Sequence, residues 1–346
     1  MAIFGCVGCG EPLTAPVSEV VLPAGARSQV GNGILLPVLM VAGTFAVDPE
    51  PSGPPWRVWE EIDAAKAAAR GVFAPVYHLS FGAPGAIVIA PGDTRGTVLV
   101  PEWCEGYCCG LTEGATPNMA CARCGRPVAT RVDDCSLWQA VWLDPGAVRR
   151  LPGGAGDEPV VDWDTWVRER GRDPQPDPVA RSYWRWGAAA GAALAHLLVA
   201  SGGAPLELPE GPAARAFAPA LRALLPAGPP SKRVVLAGPG LPRYDSADLA
   251  LVPQHPQTGE VWQPHDDTTA VPLAADAWLY LAFPDPHQVP PATGGLPPGV
   301  WRDDPALPHP GALCPDRGIF LRTLARLPAV REPWLRKIHG LGWRAW

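Results

Sequence analysis

Short apolar runs broken by Gly, Pro and Asp dominate residues 1–150, the pattern of a β-rich layer. Ile34–Val41 and Thr44–Val47 read as strands, and Ala86–Ala90 with Thr97–Val100 read as a hairpin across PGDTRG. One stretch changes period. Between Trp56 and Arg70, Val58, Ile62, Ala65 and Ala69 fall on one helical face, acids crowd the first turns, Lys66 and Arg70 stand near the end, and Gly71 follows as a cap. Those signals predict a helix over 56–70.

LPGGAGDEP (151–159) and GRDPQPDP (171–178) bracket a Trp-rich segment, VDWDTWVRERG, and such Pro/Gly/Asp-rich stretches are linker chemistry. The pattern therefore divides the chain into a β-rich domain (1–150), a linker region (151–180) and a mixed part (181–346). That last part opens with an Ala-rich helix near 186–200 and continues through strands at Arg233–Ala237, Asp248–Val252 and Trp278–Phe283. A Pro-rich loop, 284–316, leads to two amphipathic helices. Phe320, Leu324 and Leu327 mark the first, stopped by Pro328; Trp334, Ile338 and Leu341 mark the second, which begins at Pro333. Regular βαβ alternation is missing, so the expected class is α+β, with a mixed α/β C-terminal part.

At 346 residues, 47% of them hydrophobic, the chain suits roughly two globular domains. Pro (45) and Gly (38) are abundant, and Lys66, Lys232 and Lys337 are the only lysines. That bias is what a GC-rich genome writes, and it predicts a bacterial source of actinobacterial type. A formal charge of −6 argues against a general nucleic-acid binder. The longest membrane-like stretch, WGAAAGAALAHLLVA (186–200), falls short of a span and contains His196. A buried helix is expected there, with no membrane partner. The chain opens without an export signal. Its nine cysteines then point to metal or redox chemistry in the cytoplasm, not to disulfides.

Two cysteine segments repeat one another. CVGCGEPLT begins at Cys6 and CARCGRPVA at Cys121; both spell Cys-x-x-Cys-Gly-x-Pro-aliphatic. Two thiolates at that spacing grip one tetrahedral ion from a tight turn, and the following glycine accepts the positive φ such a turn needs. Each knuckle supplies two ligands and a closed site needs four, so the two complete one another. The expected cofactor is structural Zn2+ held by Cys6, Cys9, Cys121 and Cys124. The pair resembles the zinc-ribbon class, in which two knuckles on β-hairpins face each other across the metal. That resemblance implies a local module, not a whole-chain family or an activity. It departs from the class in separation: residues 10–120 stand between the knuckles and would form the domain body.

The alternatives are reduced or redox-active thiol pairs without metal, and a rival zinc pairing. In the rival, Cys104 with Cys108 or Cys109 would join Cys121 and Cys124 at ordinary ribbon spacing. WCEGYCC matches neither knuckle, which favours Cys6 and Cys9. Cys104, Cys108, Cys109 and Cys135 form either a second metal or redox site or a set of small buried hydrophobes; Cys314 reads as a lone thiol.

Phosphate-cradling, nucleophile-elbow and HExxH motifs are missing. VVLAGPGLP carries Gly238 and Gly240 after a strand, but Pro239 fills the turn and no helix signal follows. His265, Asp267 and His309, with Arg317 downstream, follow an order similar to that of iron(II)/2-oxoglutarate oxygenases, whose two His and one carboxylate hold iron. The strands such a fold needs do not follow. Arg317, Arg322, Arg326, Arg331, Arg336, Lys337 and Arg344 make the last part basic, and Trp138 and Trp142 are core or interface candidates. Together these features predict a cytoplasmic, zinc-binding scaffold that acts on a protein partner rather than by catalysis. A metalloenzyme and a nucleic-acid or transcription-associated zinc-ribbon factor are the alternatives.

Overall fold

Apolar runs of the N-terminal part do form strands, but their pairing departs from chain order. A computed structural model describes residues 1–28, 38–104, 111–112, 116–134, 136–152, 159–169, 178–283 and 313–342. The chain divides into two compact units, Met1–Val160 and Val161–Trp346, and its class is α+β.

Unit 1 contains β1 (Phe4–Cys6), β2 (Ser18–Glu19), β3 (Thr44–Asp48), β4 (Trp56–Val58), α1 (Ala64–Ala68), β5 (His78–Ser80), β6 (Ala86–Ile89), β7 (Thr97–Leu99), β8 (Met119–Cys121), β9 (Pro127–Val132), β10 (Ala140–Leu143) and β11 (Val148–Arg150). Seven strands make one sheet in the order β2-β3-β6-β10-β9-β8-β7, while β1 pairs with β11 and β4 with β5. Its core gathers Phe4, Leu13, Val17, Phe45, Ile89, Met119, Val128, Val141 and Leu143, with Cys6 and Cys121 among them. Arg27 seals one flank. Its guanidinium lies 3.7 Å from the centre of the Trp142 ring and its Nε donates to Asp48 at 2.7 Å. Trp138 is buried nearby in sequence, before β10.

Two expectations fail here. The helix over 56–70 shrinks to α1, because Asp63 accepts hydrogen bonds from the Ala65 and Lys66 amides and caps the helix there. Upstream, the aromatic and β-branched residues of β4 pair antiparallel with β5, a better use of Trp56 and Val58 than an isolated helical turn. The hairpin of β6 with β7 does not form. Pro91–Asp93 makes a 3-10 turn, the buried Asp93 carboxylate accepts from the Gly43 amide, and Arg95 N donates to Leu13 O. These bonds carry the chain away, so β6 lies between β3 and β10 while β7 reaches the far edge beside β8. Residues 34–37 of the strand expected at Ile34–Val41 lie outside the described residues; Val38 makes one parallel bridge to Gln139.

Unit 2 contains α2 (Trp163–Glu169), α3 (Pro178–Ser201), β12 (Leu206–Glu207), α4 (Pro212–Leu224), β13 (Lys232–Leu236), β14 (Leu249–Gln254), β15 (Thr269–Ala274), α5 (Ala275–Ala282), α6 (Arg317–Arg326) and α7 (Pro333–Leu341). Its four strands run parallel in the order β12-β13-β14-β15. One βαβ unit, β12-α4-β13, is present; the later crossovers use loops, which hid the parallel sheet from the sequence pattern.

The strand expected at Trp278–Phe283 is part of helix α5. Ala277, Trp278 and Leu281 are buried along it, and Trp278 Nε1 donates to Ala237 O at 3.1 Å. Inside the segment expected to be linker, 161–169 belongs to unit 2. His255 Nδ1 accepts from the Gln257 and Thr258 amides, which leaves Nε2–H to donate to Val161 O at 2.8 Å. On α3, Gly191 faces the Asp316 backbone where α6 begins, and a Cβ would overlap its carbonyl oxygen. The Pro-rich segment 284–312 lies outside the described residues.

Candidate metal centre

Cys6 ends β1 and Cys121 ends β8, so each knuckle begins where a strand stops. The turns that follow are built alike. Gly10 N donates to Cys6 O and Gly125 N to Cys121 O, both at 2.9 Å; Cys6 N donates to Glu11 O at 2.9 Å and Cys121 N to Arg126 O at 2.8 Å. Gly10 has φ +75° and Gly125 φ +73°, a conformation that would strain a residue with a Cβ. Beyond each turn a proline returns beside the entering strand: Pro12 opposite Gly5 and Pro127 opposite Ala120. The sequence repeat is a structural repeat.

The knuckles meet sulfur to sulfur. Cys6 Sγ lies 3.7 Å from Cys124 Sγ and Cys9 Sγ 3.6 Å from Cys121 Sγ; all four sulfurs lie within 4.8 Å of one another. Four sulfurs about 2.3 Å from a central ion would stand about 3.8 Å apart at the corners of a tetrahedron. The observed spacing fits that donor set, and none of the four is in a disulfide. Cys6 and Cys121 are 0% and 1% exposed and belong to the core, whereas Cys124 is exposed.

Local amides favour the charged form at Cys6 and at Cys9. Burial opposes ionisation of Cys6, but the Cys9 and Gly8 amides with the Cys124 and Cys9 thiols outweigh it, lowering its pKa to about 7. Cys9 receives a favourable Glu11 amide, yet burial and the facing sulfurs of Cys121, Cys124 and Cys6 push it up to about 12. Adjacent sulfurs resist carrying several negative charges without a cation between them.

Charged side chains surround the centre. Arg123 Nη1 lies 3.7 Å from Glu11 Oε2, joining the two knuckles. Arg126 Cδ and Arg149 Nη2 each lie 3.8 Å from where a Cβ would stand on Gly8 and Gly10 respectively. The knuckle motifs already contained Arg123 and Arg126 at their variable positions. Arg149 was not legible, since only the β1–β11 pairing brings it close.

The other sequence candidates do not join this cluster. Cys104 Sγ donates to Val100 O at 3.3 Å; Cys108, Cys109 and Cys135 lie outside the described residues, and Cys314 is exposed. His265 and Asp267 occupy an exposed bend, where His265 meets the Trp262 ring edge-on at 5.5 Å. His309 and Arg344 lie outside the described residues. Between His265 and Asp267, the Asp266 carboxylate accepts from the Thr268 amide and the Tyr244 hydroxyl, a turn arrangement that lowers its pKa, chiefly through Thr268. Among the described residues, no second group of His, Cys, Asp and Glu gathers as the four cysteines do, and no helix is long and apolar enough to cross a membrane.

Compared with protein-family models, curated proteins and solved structures, the chain matches none of them.

Proposed function

We propose that Cys6, Cys9, Cys121 and Cys124 hold one structural Zn2+ and that the protein is a zinc-stabilised binding module rather than an enzyme. The supporting observation is the face-to-face placement of two identically hydrogen-bonded knuckles, with facing sulfurs 3.6 and 3.7 Å apart. A four-thiolate set fills every position of a tetrahedral ion, so no coordination site remains for substrate, and soft sulfur ligands disfavour Mg2+ and Ca2+. The ion supplies cross-linking: it ties the N-terminal knuckle to the β8–β9 turn, and its binding energy becomes folding energy for a layer rich in Gly and Pro. A reducing, cytoplasmic setting would keep these thiols free to bind it.

Elemental analysis of the purified chain tests this reading, with Cys124→Ser and Cys104→Ser measured alongside. One zinc per chain, lost in Cys124→Ser and kept in Cys104→Ser, is the expected result. Stoichiometric zinc in Cys124→Ser would overturn the ligand set. A coloured iron–tetrathiolate centre would overturn the metal's identity.

A further inference from the structure

Positive charge is concentrated where the chain as a whole is acidic. The formal charge is −6, yet Arg95, Arg123, Arg126, Arg149 and Arg150 are all exposed and come from the three segments that frame the cysteine centre. Arg123 and Arg126 lie in and just after the second knuckle. Arg149 and Arg150 are on β11, opposite Gly5 and Phe4 of the strand that enters the first. Arg95 precedes Gly96, whose carbonyl accepts from Ala122 N and whose Cα stands against the Pro12 carbonyl. Segment 95–99 therefore runs beside both knuckles.

The same surface is partly apolar. Val98 and Leu99 on β7 are 49% and 42% exposed, and Val7 in the first knuckle is 37% exposed. β7 is the terminal strand of the seven-stranded sheet among the described residues, so its outer side offers backbone groups to an added strand.

We infer that this face docks an extended, acidic segment of a partner protein, which adds to the outer side of β7 and places carboxylates against the arginine rim. This deepens the proposed binding role and rests on it. The chemistry favours a peptide over a nucleic acid. Single strands are held by aromatic stacking beside the cations, but among the described residues the exposed large aromatics, Trp56 and Tyr77, belong to or adjoin the separate β4–β5 ribbon, and Trp103 after β7 is half-buried. Val98 and Leu99 lie on opposite faces of β7, so the alternate apolar side chains of an added strand would pack beside one of them, and neither contributes to phosphate binding.

A rival role for the arginines is local. A zinc ion with four thiolates is doubly negative, and nearby cations would stabilise it. The two roles separate in one experiment on the full, zinc-loaded chain. Fluorescence anisotropy is measured with a fluorescein-labelled peptide of alternating Glu and Val, and zinc content is measured on the same samples. Saturable binding is expected, weakened about tenfold or more by the double variant Arg126→Glu/Arg149→Glu and weakened also by Val98→Asp, with zinc retained in both. Absence of saturable binding by the wild type, or unchanged binding by both variants, overturns the inference. So does tighter binding of a single-stranded oligodeoxynucleotide of matched charge. Loss of zinc from the arginine variant assigns the rim to the metal and overturns docking. Peptide binding by a chain that contains no zinc would instead leave docking intact and remove the metal reading.

Discussion

Cys124 and Cys6 occupy opposite ends of the burial scale within one cluster, and that difference makes a quantitative prediction. Cys124 is exposed, so Cys124→Ser removes a ligand and little else. Cys6 is 0% exposed, so Cys6→Ser removes a ligand and also buries a hydroxyl in the core, at about 1–3 kcal/mol. With an ion held by these four cysteines, its loss would release the loop spanning 10–120, and for a cross-link of that length the chain-entropy model gives about 5 kcal/mol. That is a large share of the ~5–15 kcal/mol by which domains are stable. In the zinc-loaded protein both variants should therefore shift urea unfolding of residues 1–160 strongly, Cys6→Ser further. After chelation the order should split. Cys124→Ser should unfold with the metal-free wild type, and Cys6→Ser should remain about 1–3 kcal/mol below it. The assay is urea denaturation of loaded and chelator-treated samples, with zinc release followed by a chromogenic chelator. If Cys124→Ser destabilised the chelated protein as much as the loaded one, its effect would not act through a metal, and the reasoning would fail.

Gly125→Ala should cost about 1–2 kcal/mol through its positive φ alone, because no atom lies within 4 Å of the added Cβ; a smaller loss in Gly125→Asn than in Gly125→Ala, by urea midpoint, checks that cause. Gly191→Leu should destabilise unit 2 by about 1–3 kcal/mol or more, since the side chain would meet the Asp316 backbone; thermal melts that leave unit 2 unchanged would refute the contact. Burial lowers the His196 pKa, so the folded chain binds fewer protons than the unfolded one in that window. The stability this contributes is present above the unfolded value of about 6.5 and is lost as pH falls toward the lowered one; His196→Leu should flatten the slope of stability against pH there. Limited proteolysis should cut between 151 and 160 and leave Trp163–Glu169 with the C-terminal fragment, because His255 and Gln257 bond to Val161; an N-terminal fragment that keeps α2 would contradict this.

What the sequence revealed was local. Each knuckle is specified by its own cysteines, glycine and proline, and the two hydrogen bonds that shape its turn are local, so both could be recognised without knowing the fold. Helices α6 and α7 were legible for the same reason: Pro328 and Pro333 punctuate faces whose period is helical. The failures are non-local. Nothing between Ala86 and Leu99 encodes that β6 will find β3 and β10 while β7 finds β8; the Asp93 and Arg95 bonds to Gly43 and Leu13 decide it. The 56–70 pattern had a helical face, but β4 had a strand partner in β5 that lay beyond the window. AWLYLAF is equally good as strand or helix by periodicity, and Trp278's bond to Ala237 is a tertiary preference.

The long separation of the two knuckles follows from the same division between local and non-local structure. The turn of the first knuckle is shaped by two local bonds, Gly10 N to Cys6 O and Cys6 N to Glu11 O, and the same pair recurs at Cys121. Val7 N to Ala147 O and Ala122 N to Gly96 O tie each knuckle to a distant segment. What needs the rest of the domain is bringing them together. Two arrangements do this: β1 pairs with β11, and β8 is held through β9 to β10 in the main sheet, while Phe4, Cys6, Cys121 and Val148 share one core. The inner sulfurs are thus positioned by packing, and the outer sulfurs of Cys9 and Cys124 follow from the turns. A metal bound there would close a long loop whose ends the sheet brings together. Its affinity is therefore coupled to the hydrophobic core rather than to the knuckles alone. A chain with an intact Cys6–Pro12 turn but a core weakened at Phe4 or Val148 should lose zinc more readily, although no ligand has been touched.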